Sequence, residues 1–253
     1  VTPDSTQTTG ARPTGISDPD AAAQNIQQMF DTIAPTYDRA NHFLSVGLDR
    51  YWWTCAARTL RPILQRPEAV VLDLCCGTGD MTLALEKHRP PSNSSAPILA
   101  ADFSHAMLAR GAEKFAGRNI LPIEADGLRL PLASGSVDLV TAAFGFRNLS
   151  NYAAGLAELF RVLRPGGEIA ILECNQPDGI VGALYSMYFH KILPTLGGLI
   201  SRNRSAYAYL PESVMRFPRP PRMKQLIAEA GFVRAAWTSY TFGTVGLYRA
   251  SKP

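Results

Sequence analysis

The pattern of apolar and polar positions changes character twice along this chain. From Ala21 to Ile33 the apolar residues Ile26, Met29, Phe30 and Ile33 share one helical face. Pro35 stops that helix, and a second is expected over Tyr51–Leu60, ending ahead of Pro62. Beyond that point short continuous apolar runs take over, at Ala69–Leu74, Ile98–Ala101, Ile120–Ile123, Val137–Ala143 and Glu168–Glu173. Helical stretches separate several of them, at Asp80–Lys87, Ser104–Phe115 and Tyr152–Val162. Short strands without polar alternation, spaced by helices, predict a mostly parallel sheet covered on both faces. After Glu173 the alternation ends. An aromatic and apolar insert over Ile180–Leu210 is followed by a helix near Arg222–Ala230 and by two strand-like runs, Val233–Tyr240 and Thr244–Ala250, suited to an antiparallel pair at the sheet edge.

The fold expected is therefore α/β, a doubly wound seven-stranded sheet forming one domain over 21–253. Residues 21–62 would form a helical lid and 178–220 a substrate-side insert. The first twenty residues, rich in Thr, Ser, Pro, Asp and Gly, read as a disordered tail with neither the apolar core of a secretory signal nor an arginine-rich import signal.

Composition adds little until it is read locally. With 46% apolar and 18% charged residues the chain is an ordinary globular one, and a net charge of +4 is too small to imply nucleic acid. Between Lys191 and Lys224, however, seven basic residues face a single acid, Glu212. Such an excess is either a solvated face or an attraction to an anionic membrane surface. Ile180–Ile200 is mostly apolar, yet His190, Lys191, Pro194 and Gly197–Gly198 interrupt it short of the ~20 residues of a span. An interfacial helix is the expectation, on a cytoplasmic protein resting at times on the inner face of the membrane. The four cysteines, Cys55, Cys75, Cys76 and Cys174, lack metal-ligand spacing and read as reduced thiols, and the scattered histidines argue against a metal site.

The stretch from Val71 to Asp80 carries the chemistry. An apolar strand runs into Gly77-Thr78-Gly79, with a helix starting near Asp80. Glycines allow a sharp turn and a close ligand approach; a structural tight turn would also explain them. The third glycine of the dinucleotide pattern is missing, and Asp73 lies in the strand end. Asp73 and Asp80 would repel a pyrophosphate but attract the ammonium and sulfonium of S-adenosylmethionine. Asp102 ends the next strand, where a carboxylate can accept from both ribose hydroxyls. It follows Asp73 by 29 residues, a long gap filled by a polar loop over Pro90–Pro97. Asp126, before Gly127, suits the adenine amino group or a simple turn.

Five stretches in order, VLDLCCGTGD, ADFSHAML, EADGLRLPL, VDLVTAAFGFRN and ELFRVLRPGGEIAILE, resemble the class I methyltransferases. More narrowly, with MFDTIAPTYDRANHFLSVGLDRYWW, FHKILPTLGGLISRNRSAYAYLPESV and FGTVGLYRASKP, the chain is similar to the C-methyltransferases of ubiquinone and menaquinone biosynthesis, from Gln28 to Pro253. The resemblance implies cofactor contacts at Thr78, Asp102, Asp126, Gly127 and Ala143. Ala143 departs from the serine common there and can offer only its backbone.

It also implies an isoprenoid quinol as acceptor. A quinol carbon is a poor nucleophile until a neighbouring phenol, pKa roughly 10, loses its proton. Arg147 and Asn148 follow the fourth strand at the carboxyl edge, where ligands bind in such sheets. Arg147 is expected as a cation favouring phenolate, with Asn148 fixing geometry; a structural salt bridge is the other reading of Arg147. Asp38 and His190 are weaker candidates for the base. Phe30, Tyr37, Phe43, Tyr185, Tyr188 and Phe189 could wall an apolar acceptor pocket, or serve as plain core. Three other functions remain open at this point: methylation of another small or lipid acceptor, a non-catalytic scaffold, and a nucleotide-dependent oxidoreductase. The late apolar strands could supply a homodimer contact.

Overall fold

The computed structural model describes residues 10–13, 15, 16, 18–90, 96–188 and 204–253, with backbone alone for 204–208. Most of the loop after Pro90, together with Phe189, His190, Lys191 and Arg202, lies outside the described residues.

Helix α1 (Pro19–Ile33) starts where Asp18 caps it, its carboxylate accepting from Ala21 N at 2.8 Å, and Pro19 takes the first helical position. Pro35 ends α1 as expected, but the chain turns at once into α2 (Tyr37–Leu44), which the sequence pattern did not suggest. Left-handed backbone at Val46 and Gly47 then breaks α2 from α3 (Leu48–Thr59), and the single turn α4 (Arg61–Leu64) follows.

The sheet alternates strand and helix through β1 (Val71–Leu74), α5 (Asp80–Glu86), β2 (Ile98–Asp102), α6 (His105–Phe115), β3 (Ile120–Glu124), β4 (Val137–Ala143), α7 (Tyr152–Val162) and β5 (Leu163–Cys174). Ser104 caps α6 and Asn151 caps α7. After β5 come α8 (Gly179–Met187), α9 (Arg204–Arg216, with Pro211 inside), α10 (Pro220–Glu229), β6 (Val233–Tyr240) and β7 (Val245–Ser251). The strand order is β3-β2-β1-β4-β5-β7-β6. The first five strands run parallel, and β7 lies antiparallel between β5 and β6. This is the expected seven-stranded α/β sheet, with β6 at its edge.

Alternation along β1 divides the interior. Leu72 and Leu74 join the cluster beneath α7 and α10, with Tyr152, Leu156, Leu159, Met223 and Ile227. Val71 faces the other layer, with Ala56, Leu60, Met81, Leu85 and Phe115. The lid helices form a third cluster, Ile33, Ala40 and Leu44 packing with Met107 and Val214.

Two expectations change here. Part of the stretch taken for a disordered tail is fixed: Ala11 N donates to Leu149 O at 2.8 Å, Arg12 Nη1 donates to Ser150 O at 2.8 Å, and Ala11 is buried. Hydrogen bonds to the backbone carbonyls of Leu149 and Ser150 do this, and they leave no periodicity to read. The basic stretch is also less free than its count suggested. Arg219 pairs with Asp178 at 2.9 Å and Arg222 with Glu229 at 2.9 Å, acids that lie outside the counted window.

Candidate active site

Strand order reverses between β1 and β4, and a ligand crevice opens at the carboxyl ends of such a pair. The first residue past each strand, Cys75 at φ 54° and Phe144 at φ 57°, adopts left-handed backbone, costing on the order of 1–3 kcal/mol apiece. The two loops nearly touch: a Cβ on Gly145 would lie 2.2 Å from that of Cys75.

The glycines of the loop serve different ends. Gly77 (φ 55°) has only Tyr37 Cε1, at 3.9 Å, near its missing Cβ, so its backbone is open to a ligand. Gly79 (φ 88°) would drive a Cβ to 2.2 Å from the Phe115 ring, so it permits α6 to pack. Thr82 stands where a dinucleotide loop has its third glycine, and its hydroxyl donates to Asp73 at 2.6 Å. Thr141 donates to the other Asp73 oxygen at 2.6 Å. Asp73 is fully buried and lines neither cavity described below; burial pushes its pKa up to about 6 against those two bonds. It thus stands behind the glycine loop, bracing α5 against β4.

Asp102 faces the crevice. One oxygen accepts from Gly77 N at 2.8 Å, the other from Ser104 N at 2.9 Å, while burial raises its pKa to about 6. A narrow cleft of about 30 Å³ runs from Asp102 and Phe103 past Asp126, Gly127, Asn148 and Leu149. Asp126 folds back to accept from Leu128 N at 2.9 Å, and a Cβ on Gly127 would strike Leu149 at 2.9 Å. Thr78 is turned away from the cleft: its hydroxyl donates to Asp38 at 2.5 Å. Lys114 joins Asp38 at 2.7 Å and Asp80 at 2.9 Å, fastening the lid to the loop. That occupation of Asp38 weakens it as a base.

A larger cavity of about 350 Å³ begins at Cys76, Gly77 and Asp80, continues past Ala143, Phe144 and Arg147, and is covered by the lid. Phe30, Tyr37, Tyr185 and Tyr188 line it as expected, together with Trp52 and Trp53, which sequence reasoning missed. Phe43 does not; it is 56% exposed. Cys75 lines both spaces, so cleft and cavity share a wall.

Arg147 and Asn148 occupy one 3₁₀ turn, Phe146–Asn148, and face different spaces: Arg147 the cavity, Asn148 the cleft. Arg147 Nη1 donates to Glu173 at 2.8 Å and to Phe144 O, its backbone N to Glu173 at 3.0 Å, and its Nε to Ser213 at 3.3 Å. Burial alone would lower the guanidinium's pKa, but the Glu173 carboxylate holds it above the usual range. The salt bridge expected as one reading of Arg147 is present, and its side chain also lies at the cavity wall. Glu173 was not singled out from sequence; an acid ending an apolar strand was its only signal. Tyr209 OH donates to Asn148 at 3.1 Å, so the FGFRN and AYAYLPES stretches meet at this turn.

A sulfonium cofactor fits these residues. The open backbone at Gly77 admits a ligand, Asp102 ends in the cleft beside it, and no Lys or Arg pairs with Asp73 or Asp102 among the described residues. A polyanionic ligand would meet the unneutralised carboxylate of Asp102 in the cleft.

Comparison with known proteins agrees. At 42% identity over 241 residues, 94% of this chain and 96% of the other, the chain resembles demethylmenaquinone methyltransferase of Deinococcus radiodurans. A protein of the same description from Thermus thermophilus is 42% identical over 228 residues, 89% of this chain and all of the other. The ubiquinone/menaquinone biosynthesis C-methyltransferase UbiE of Geotalea daltonii is 40% identical over 238 residues, 90% of this chain and 97% of the other. Among solved structures, a SAM-dependent methyltransferase from Thermotoga maritima shares the fold with a TM-score of 0.63 at 17% identity, over 89% of this chain and 99% of that one. A second, from Aquifex aeolicus, gives 0.55 at 20% identity, over 77% and 88%. Residues 19–252 match the ubiE/COQ5 methyltransferase family, and the chain belongs to it as an S-adenosylmethionine-dependent methyltransferase.

Proposed function

We propose that this protein methylates a ring carbon of a demethylated isoprenoid quinol, with demethylmenaquinol as the acceptor. The reading rests on the aromatic-walled cavity of about 350 Å³ that joins the glycine loop to a buried cation, Arg147. The names carried by relatives at 42% identity point the same way. When bound, S-adenosylmethionine supplies a methyl group made electrophilic by the sulfonium. Gly77, Asp102, Asp126 and Gly127 would hold it along the cleft, Ala143 through its backbone, with Gly79, Thr78 and Asp73 shaping the loop from behind. Arg147 stabilises phenolate charge in a site poor in water, where such a contact counts for more than in solution. Asn148 fixes the turn that positions it. The aromatic walls hold the flat ring at close range, the alignment that an in-line displacement needs.

The acceptor's apolar tail also needs a path. Tyr185 lines both the large cavity and a smaller cleft between α8 and α9. Outside that cleft α8 presents Ile180 (82% exposed), Leu184 and Met187, and α9 presents Met215. No helix among the described residues is long and apolar enough to cross a membrane. The apolar face of α8 would instead rest in the lipid interface, placing the protein peripherally on a membrane, and the edge strand β6 would carry a homodimer contact.

Purified protein assayed with demethylated naphthoquinol and benzoquinol tests the acceptor; the naphthoquinol is expected to be the better substrate, and no methylation of either would refute the proposal. Flotation on liposomes, lost in a Leu184→Ser variant, tests the membrane face.

A further inference from the structure

We infer that Asp49 and His42 form a proton relay for the methyl transfer, Asp49 taking the acceptor's proton at the cavity wall and His42 delivering it to solvent. This rests on the phenolic acceptor proposed above. C-methylation replaces a ring C–H by C–CH3. The phenolate supplies the electron pair of the new bond, and the pair of the broken S–C bond stays on sulfur. The ring then loses its proton and the phenol regains one, so a single proton leaves per turnover. A covered, largely apolar cavity needs a route for it.

The cavity offers few acceptors. Arg147 is held as a cation by Glu173 at 2.8 Å. Asp80 is paired with Lys114 at 2.9 Å. Burial pushes the Tyr209 phenol up to about 12 and the Cys174 thiol to about 11, so neither form gives up and takes a proton readily near neutrality. Among the described residues, Asp49 is the remaining carboxylate on the wall, and no Lys or Arg pairs with it.

Its placement is built. Left-handed backbone at Val46 (φ 53°) and Gly47 (φ 75°) folds the end of α2 onto the start of α3. That turn brings His42 Nδ1 into a hydrogen bond with Asp49 Oδ2, while Asp49 Oδ1 accepts from Arg50 N at 2.7 Å. The His42 ring meets Trp53 edge-on at 5.9 Å. Side-chain exposure rises from 5% at Asp49 to 30% at His42, so the pair leads from the cavity outward. With its proton on Nε2, His42 takes the proton from Asp49 at Nδ1 and releases the Nε2 proton to water; a turn of the ring with loss and regain of a proton to solvent then restores the Nε2–H form for the next turnover. Asp49 is the proton acceptor, and His42 is a positioning and relay residue acting through it.

The test uses the full chain with S-adenosylmethionine and a short-prenyl 1,4-naphthoquinol unsubstituted at the methylation site. Asp49→Asn and His42→Gln should each lower kcat on the order of 10²-fold while the cofactor Kd, measured by calorimetry, stays within about twofold. In His42→Ala, added imidazole should restore turnover by about tenfold, and a ring-fluorinated quinol with a more acidic hydroxyl should lose distinctly less than its parent. A purely structural clip between α2 and α3 would give neither rescue nor acceptor dependence. Turnover of His42→Ala like that of the unaltered protein would overturn the relay. So would a loss equal for both acceptors and indifferent to imidazole. Failure of the unaltered protein to methylate either quinol would refute the acceptor reading instead. Should Asp49→Asn fail to fold, the variants at the partly exposed His42 carry the test alone.

Discussion

Replacing Glu173 with glutamine removes one charge from the centre of the molecule and keeps the side chain's size. Its carboxylate is wholly buried, and the Arg147 side chain is only 8% exposed. One oxygen accepts from Arg147 N at 3.0 Å; the other accepts from Arg147 Nη1 at 2.8 Å and Cys174 N at 3.2 Å. A glutamine keeps one acceptor and turns an NH2 group toward donors on the other side. More important, the guanidinium stays buried without its counter-charge, and breaking such a pair from one end costs about 3–5 kcal/mol. Against a typical total of roughly 5–15 kcal/mol that is a large share. The paired change Arg147→Met with Glu173→Leu removes both charges and should cost less than the single change, because nothing charged is left stranded. Guanidinium denaturation followed by tryptophan fluorescence reads both, with the slope checked for constancy. A loss below about 1 kcal/mol in Glu173→Gln at unchanged slope would refute the reasoning. A double variant as unstable as the single one would refute it equally.

Three further outcomes are expected. Asp73→Asn should flatten the dependence of stability on pH: with a folded pKa of about 6, raised above the unfolded value, Asp73 favours folding at low pH and loses that contribution as pH rises from about 4 through 6, roughly 3 kcal/mol in all. Thermal melts from pH 4 to 8 check this, and an unchanged slope counts against the burial. The two loop glycines should separate by assay. Gly79→Ala, whose Cβ would meet Phe115 at 2.2 Å, should lose about 2–4 kcal/mol of stability, whereas Gly77→Ala should mainly weaken cofactor binding measured by calorimetry. Lys114→Met should unfasten the lid and raise the cofactor KM by about two- to fivefold at low salt, the effect shrinking as salt screens the pairs with Asp38 and Asp80.

What the sequence makes legible and what it hides follow from how local each signal is. The parallel strands are buried on both faces, so continuous apolar runs mark β1, β2 and β4 directly. The α2 helix escapes because Pro35 announces a stop, and the immediate restart at Tyr37 carries mostly polar residues. Helix α9 escapes because Pro211 lies inside it. At the site, Gly77 and Asp102 are legible from spacing along one strand–loop–helix unit. Glu173, Thr82, Thr141 and Asp49 are not, since each gains its meaning from a partner that the fold supplies from 7 to 68 residues away. Asp73 shows the limit well: its position in the strand end is readable, but not that two threonines claim its oxygens and hold it away from both cleft and cavity.

The turn Phe146–Asn148 couples the cleft to the cavity. Adjacent residues of one 3₁₀ turn must project in different directions, so Arg147 reaches the cavity while Asn148 reaches the cleft. Each is then fixed from α9, Arg147 by Ser213 at 3.3 Å and Asn148 by Tyr209 at 3.1 Å. Tyr152 OH adds a third restraint by donating to Arg147 O at 2.9 Å. A shift of α9 therefore moves the cation at the cavity wall and the amide in the cleft as one body. Misplacement by about 1 Å can cost roughly 10²-fold in rate when alignment supplies the catalysis. Loosening the Tyr209 contact should accordingly lower kcat even though, among the described residues, that phenol bonds to Asn148's side chain and not to Arg147, and that coupling is what distinguishes a positioned turn from two independent residues.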